Sequence, residues 1–388
     1  MSTATAAPAA EQPKRKPRLA AIEYIRGISM MGVIAIHVGS QYLTNPAANI
    51  HLVALLEIAS RFCVPIFFFI SAFGLFYNLR EPFDYRYFMK RRYRTVFVPY
   101  LVWSFFYLIH DAFAYGSGFP GPGYLLELLF FGNAKYQLYF LVILLWFYPL
   151  MPLWIRIVRM MTLPRLAVLF ALQIAFDYWS SFSVALNLYT YGLPDSSFWK
   201  PFLMYRLNYW ILHYVFIFVL GGYLAVHFDA FRRFMEERRT LISAFFTASL
   251  VVLLIYYYDL IYKTGYTAME AINTAHQLSP AGLFYTLAAS LFCFTIFTYQ
   301  RYPQWFNPIL HELGLHSYFA YLVHPFFIGY LSLFLQHRGI IMTAGTTIVF
   351  YFVTLTLSMI AAVMFRRLGT HIPILNELTI GVYPRKKK

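Results

Sequence analysis

The chain has 388 residues, of which 60% are hydrophobic, 21% are aromatic and only 12% are charged. A soluble domain carries about 25% charged residues, so this composition excludes an ordinary water-soluble globular protein. The net charge of +15 requires no nucleic-acid partner, because basic residues next to anionic lipid headgroups account for it. We therefore expect a protein whose main solvent is the lipid bilayer.

The predicted elements are helices long enough to cross the hydrocarbon layer, which takes about 20 mostly apolar residues. We predict an all-α, polytopic fold with about ten transmembrane helices. Their approximate cores are 19–43, 51–78, 95–113, 137–155, 166–183, 207–228, 240–258, 281–299, 315–335 and 341–365. Segment 121–135 is too short to span the bilayer and predicts an interfacial or re-entrant turn.

Lys and Arg are divided unequally between the two sets of turns. With the N-terminus inside, 24 of them fall on the inner side and 5 on the outer side, while Arg26 and Arg61 lie within helices. Because cytoplasmic loops concentrate positive charge, both termini are predicted to be cytoplasmic. A membrane domain at 19–365 would then lie between a disordered basic tail at 1–18 and a basic tail at 366–388, in a multi-pass protein of the cell membrane.

The first helix contains two ionisable residues, Arg26 and His37. Eleven residues of helix leave them about 20° apart around the axis and roughly 16 Å apart along it, so both face one cavity. The near-neutral pKa of an imidazole suits a general base. The alternative is a histidine hydrogen-bonded across the bundle and an arginine that reaches the inner interface.

The second helix adds Glu57 and Arg61, whose spacing allows them to neutralise each other as an ion pair. Ser71 follows in a strongly apolar stretch, where a serine commonly bonds the carbonyl four residues earlier. Later in the chain, His324 precedes Pro325. This histidine either lines the cavity or satisfies backbone groups that the proline leaves unpaired.

A basic run, MKRRYRTVFVPY at 89–100, leads into the third helix. Arg91 and Arg94 are three residues apart and share a helix face, where their planar guanidinium groups can hold a phosphate through paired hydrogen bonds. Arg92 is a further candidate. The alternative is that these residues only mark the cytoplasmic boundary of the membrane.

The order of these motifs resembles the acyltransferase 3 family of bacterial membrane O-acyltransferases. The motifs are Glu23-Tyr-Ile-Arg26-Gly27 with His37, Arg61-Phe-Cys-Val-Pro-Ile-Phe-Phe-Phe-Ile-Ser71, Arg91-x-x-Arg94 before Val-Pro99-Tyr100, Tyr136-Gln137-Leu-Tyr139-Phe140, and Tyr321-Leu-Val-His324-Pro325. They extend over essentially residues 19–365. The FFFIS and YQLYF stretches look most similar to exopolysaccharide-modifying members.

The resemblance implies transfer of an acyl group, acetyl or succinyl, from cytoplasmic acyl-CoA to a hydroxyl of a surface or lipid-linked polysaccharide, with no metal. His37 then matches the essential histidine and Arg26 its partner, while Arg91, Arg94 and Arg92 would hold the CoA phosphates. Acceptor binding is assigned to Arg61, Glu57, Ser71, Tyr139 and His324. A polysaccharide synthase or export protein is a possible partner under this hypothesis.

Two other classes of function fit the same composition. A proton-coupled small-molecule transporter is the less favoured one, because the sequence shows neither the internal repeats nor the acidic relay residues usual in such proteins. An exporter of a glycan or lipid-linked sugar would also be polytopic, aromatic-rich and lined by a few buried charges. It would need no paired cytoplasmic arginines, and it would not hydrolyse acyl-CoA. Whether His37 acts as base or as acyl carrier stays open at the level of sequence.

Overall fold

The computed structural model describes residues 17–383, and every regular element among them is helical. Seven helices are long and apolar enough to cross a membrane, and the number rises to ten if three bent helix pairs each form one span. The prediction of an all-α membrane protein with about ten spans is confirmed. The predicted N-terminal tail falls largely on residues 1–16, outside the described part of the chain.

The seven continuous spans form the frame of the bundle. They are α1 (Ala20–Tyr42), α2 (Ile50–Tyr77), α3 (Tyr85–Ala114), α9 (Arg239–Tyr262), α10 (Pro280–Tyr299), α11 (Phe306–His337) and α12 (Ala344–His371). Between α3 and α9 the helices are shorter: α4 (Pro122–Phe131), the pair α5 (Tyr139–Phe147) and α6 (Met151–Met160), the pair α7 (Leu163–Phe182) and α8 (Val184–Gly192), and the pair Ile211–Val226 and Phe228–Glu237.

The bent pairs differ from the straight helices predicted at 137–155 and 207–228. The first pair bends by 71°, and the pair around His227 bends by 96°. Prolines explain the first break, because Pro149 and Pro152 lack an N–H and cannot continue the hydrogen bonding of α5. Segment 122–131 forms a helix of only ten residues, in agreement with its predicted inability to span.

Helices α1 and α11 run in the same direction and touch at two glycines. A Cβ at Gly27 would lie 2.8 Å from the Leu313 Cβ, and a Cβ at Gly314 would lie 2.2 Å from the Glu23 carbonyl oxygen. Small residues at such a crossing let two membrane helices approach closely. His37 lies ten residues after Gly27, and His324 lies ten residues after Gly314. The crossing therefore brings the two imidazoles to one level, about 15 Å further along the bundle.

Both described ends of the chain lie at the same end of the bundle. The C-terminal α13 (Pro373–Ile380) packs on α3, where the Trp103 indole N–H donates to the Thr379 carbonyl at 3.0 Å. Beyond this helix, the Arg94 guanidinium lies 5.1 Å from the centre of the Tyr383 ring. The charges of Arg26 and Arg92 interact, which places the start of α1 there too. We call this the basic end. Residues 366–383 of the predicted tail are therefore largely helical and packed.

Candidate active site

The His37 imidazole packs against two other rings. Its ring centre is 4.5 Å from that of Tyr136 and 5.3 Å from that of His324, with the two imidazoles nearly parallel. Tyr136 and His324 also approach each other, with ring centres 6.4 Å apart. His37 is enclosed by protein, yet part of its surface remains open to water. Among the described residues neither ring nitrogen of His37 hydrogen-bonds the protein, so both stay free for a substrate.

His324 is held in one orientation by its own helix. Pro325 has no N–H, which leaves the Tyr321 carbonyl without its usual partner, and His324 Nδ1 donates to that carbonyl at 2.6 Å. In the neutral ring Nε2 is then a hydrogen-bond acceptor, and it is buried with no partner in the described chain. Of the two functions considered for His324 from the sequence, the structure contains the backbone one: Nδ1 satisfies the carbonyl that the proline leaves unpaired, and the ring is fully buried.

Gln137 fastens the Tyr136 segment to α11. The side-chain N–H of Gln137 donates to the Leu322 carbonyl at 3.3 Å. The backbone carbonyl of Gln137 accepts a hydrogen bond from the Tyr321 hydroxyl. The Tyr107 hydroxyl, from α3, donates to the same Leu322 carbonyl at 2.6 Å. These bonds fix the level of Tyr136 relative to His324, and therefore the stack around His37.

The predicted ion pair in α2 is present and buried. Arg61 lies 3.3 Å from the Glu57 carboxylate, and the other carboxylate oxygen accepts the Ser40 hydroxyl of α1 at 2.9 Å. Residues Ala54–Ile58 form a π-helical turn, a distortion that is frequent at functional sites. The Arg61 charge acts on both His37 and Tyr139. The pair is thus both structural and close to the catalytic candidate.

Two of the predicted donor-binding arginines, Arg26 and Arg92, lie near each other at the basic end. Water reaches the Arg26 side chain although protein surrounds it. The Arg92 guanidinium lies 5.1 Å from the Phe88 ring centre and 5.2 Å from that of Tyr148, and Tyr148 also interacts with Arg26. Two arginines therefore flank Tyr148 at this end of the bundle.

The other two predicted arginines, Arg91 and Arg94, lie on either side of Arg92 in the chain. A π-helical turn, Tyr93–Phe97, follows directly after Arg92 and changes the angular spacing on which a shared face was predicted. Arg91 is exposed, and Arg94 stacks on Tyr383. Ser71 is partly buried and, among the described residues, makes no bond to the carbonyl four residues earlier.

A second buried polar group was not recognised in the sequence. The His213 Nδ1 lies 2.6 Å from the Asp177 carboxylate, and the Gln173 amide donates to the same carboxylate at 3.0 Å. The side chains of Asp177 and His213 are completely buried. The sequence signal was the pair Gln173 and Asp177, which interrupts an apolar helix. Among residues 17–383 no cluster of His, Cys, Asp and Glu could hold a metal ion.

Comparison with known families agrees with this geometry. The described part of the chain is a multi-pass helical bundle that encloses an unpaired histidine, with two arginines toward one end. The chain belongs to the acyltransferase 3 family: residues 19–367 match the family model, which is described as an acyltransferase domain. No curated protein and no solved structure matches the chain significantly. The protein is thus a multi-pass membrane acyltransferase.

Proposed function

We propose that this protein transfers an acyl group, acetyl or succinyl, from cytoplasmic acyl-CoA to a hydroxyl of a surface or lipid-linked polysaccharide at the plasma membrane. The observation that carries the proposal is the His37 imidazole, which packs against Tyr136 and His324 and has both nitrogens unpaired among the described residues. An unpaired imidazole that water can reach is a suitable proton acceptor for a bound hydroxyl.

The donor enters from the basic end in this proposal. Arg26 and Arg92 flank the entrance and hold the CoA phosphates, and the exposed Arg91 and Arg94 attract the anionic nucleotide from solution. The thioester then has to travel roughly 16 Å along α1 from Arg26 to His37. The thin, flexible pantetheine arm of CoA is suited to a narrow passage of that kind.

Two routes complete the transfer at His37. In the first, His37 removes the proton of the acceptor hydroxyl while the hydroxyl oxygen attacks the thioester carbonyl. The carbon–sulfur bond then breaks, and the CoA thiolate takes the proton from His37 to give free CoA. In the second, a ring nitrogen first carries the acyl group, CoA leaves, and the hydroxyl then attacks the acyl-imidazole. The acceptor-binding candidates are His324, which packs against His37, the Arg61–Glu57 pair, whose Arg61 charge acts on His37 and Tyr139, Tyr139 itself, and Ser71.

The test replaces His37 by alanine. We expect glycan acylation and acyl-CoA turnover to fall by about 10²–10⁴-fold, while the protein inserts and the glycan still reaches the surface. The matched control is His51→Ala, because His51 is an exposed histidine whose ring bonds Tyr258 at 2.9 Å outside the site. The readouts are the acyl content of the surface glycan by mass spectrometry and CoA release by purified protein.

The outcomes separate the two classes of function. Full acylation with His37→Ala would remove the histidine from the mechanism. Loss of the glycan itself from the surface, with no acyl-CoA turnover by the wild type, would instead support an exporter.

A further inference from the structure

A charged cluster lies on the far side of the His37 stack from Arg26. Lys135 Nζ is 2.7 Å from one Asp111 carboxylate oxygen, and His110 Nδ1 is 2.8 Å from the other. The His110 Nε2 lies 3.2 Å from the Tyr330 hydroxyl. The Lys135 and Asp111 side chains are 19% and 24% exposed, so the pair is largely removed from water but still reachable. Such a pair is costly to desolvate and is weak evidence for a role in stability alone.

Tyrosine rings surround this cluster. The Tyr115 ring centre is 5.7 Å from that of His110 and 5.9 Å from Lys135 Nζ, while the Tyr330 ring centre is 5.6 Å from that of His110. Tyr115 and Tyr330 are each 46% exposed. The site therefore offers aromatic faces next to hydrogen-bonding groups of both charges.

The cluster continues directly into the candidate active site. Tyr136 is the residue after Lys135, is 41% exposed, and its ring centre lies 4.5 Å from that of His37. Tyr136 also lies near Tyr115. Tyr136 thus connects the cluster of Asp111, Lys135 and Tyr115 to His37.

We propose that Asp111, Lys135, His110, Tyr115, Tyr136 and Tyr330 form the acceptor subsite, and that it binds one sugar residue of the polysaccharide. A pyranose ring has an apolar C–H face, which an aromatic ring covers, and a rim of hydroxyls, which a carboxylate and an ammonium can bind together. This inference rests on the proposed function and places the acceptor opposite the arginines that hold the donor.

The experiment uses full-length protein purified in nanodiscs, with surface polysaccharide from cells that lack the gene as the acceptor. Asp111→Asn removes the charge at nearly unchanged shape, and Tyr115→Leu removes an aromatic face while both charged residues of the ion pair are kept. The matched control is Asp259→Asn, because Asp259 forms the same kind of pair with Lys263, also at 2.7 Å, away from this cluster. The readouts are acceptor KM, kcat, acetyl-CoA hydrolysis without acceptor, polysaccharide binding and thermal unfolding.

We expect Asp111→Asn to raise the acceptor KM by about 10–100-fold, the loss of one hydrogen bond to a charged group. Tyr115→Leu should raise it by about 2–10-fold, the loss of one aromatic contact. Acetyl-CoA hydrolysis and the unfolding temperature should stay at wild-type values, and Asp259→Asn should change nothing. An unchanged acceptor KM in both variants overturns the subsite. A lower unfolding temperature together with slower acetyl-CoA hydrolysis also overturns the subsite, because the cluster would then have a structural role.

Failure of the proposed function is recognised separately. If the wild type neither turns over acetyl-CoA nor acylates the polysaccharide, the acyl-transfer proposal is wrong. The subsite is then judged by polysaccharide binding alone: weaker binding by both variants supports it, and equal binding rejects it.

Discussion

Replacing Gly314 by alanine should disable transfer without unfolding the protein. The new Cβ would lie 2.2 Å from the Glu23 carbonyl oxygen and 2.6 Å from the Glu23 Cγ, whereas ordinary contact begins at 3.4 Å. The backbone carbonyl cannot rotate away, so α1 and α11 have to separate by about 1 Å at the crossing. Because His37 and His324 lie ten residues beyond it on the same two helices, their stacking at 5.3 Å is disturbed as well.

A misplacement of about 1 Å at a reacting centre costs on the order of 10²-fold in rate, and we expect that loss in kcat. Helix propensity acts in the opposite direction, since alanine is favoured over glycine by about 1 kcal/mol in a helix. The assay is CoA release in the presence of acceptor, with thermal unfolding measured on the same samples. Gly74→Ala is the control, because Gly74 is helical and has nothing within 4 Å of its Cβ position.

The reasoning is refuted if Gly314→Ala is folded and turns over at the wild-type rate. Equal losses of activity in the Gly314 and Gly74 variants would also refute it, since the second introduces no clash.

Three further predictions concern the donor entrance, topology and stability. Arg92→Lys should raise the acyl-CoA KM more than Arg91→Lys, because Arg92 lies beside Arg26 and lysine lacks the planar fork; acyl-CoA titrations of both variants at fixed salt measure this. Reporters fused after Lys388 and within the 259–280 loop should lie on opposite sides of the membrane, and a common side would contradict the charge distribution. Asp177→Ala should lower the free energy of unfolding by about 1–3 kcal/mol for each donor left unpaired, and an unchanged thermal unfolding curve would contradict this.

Much of the site could be predicted because its residues lie within one helix. The Glu57–Arg61 pair follows from a spacing of four residues, and the structure contains it at 3.3 Å. The arrangement of Arg91, Arg92 and Arg94 could not be predicted in the same way. A regular 100° rotation per residue was assumed, and the π-helical turn at Tyr93–Phe97 breaks that regularity.

Contacts between distant segments account for the rest. The charge pair of Asp111 and Lys135 joins α3 to the loop before α5, and each residue alone looks like an interfacial charge. His213 and Asp177 likewise meet only after two helices pack. Sequence spacing within a segment carries no information about which other segment will lie beside it.

The sequence by itself determined that the lipid bilayer is the main solvent of the protein, which class of fold it adopts, and which single residues are catalytic candidates. Scarce charge and repeated apolar segments are properties of composition, and they suffice to predict a helical membrane bundle. The tertiary structure alone decided that His37 meets Tyr136 and His324. The glycine crossing at Gly27 and Gly314 sets the register between two helices almost 300 residues apart in the chain, and only that packing brings the two imidazoles to one level.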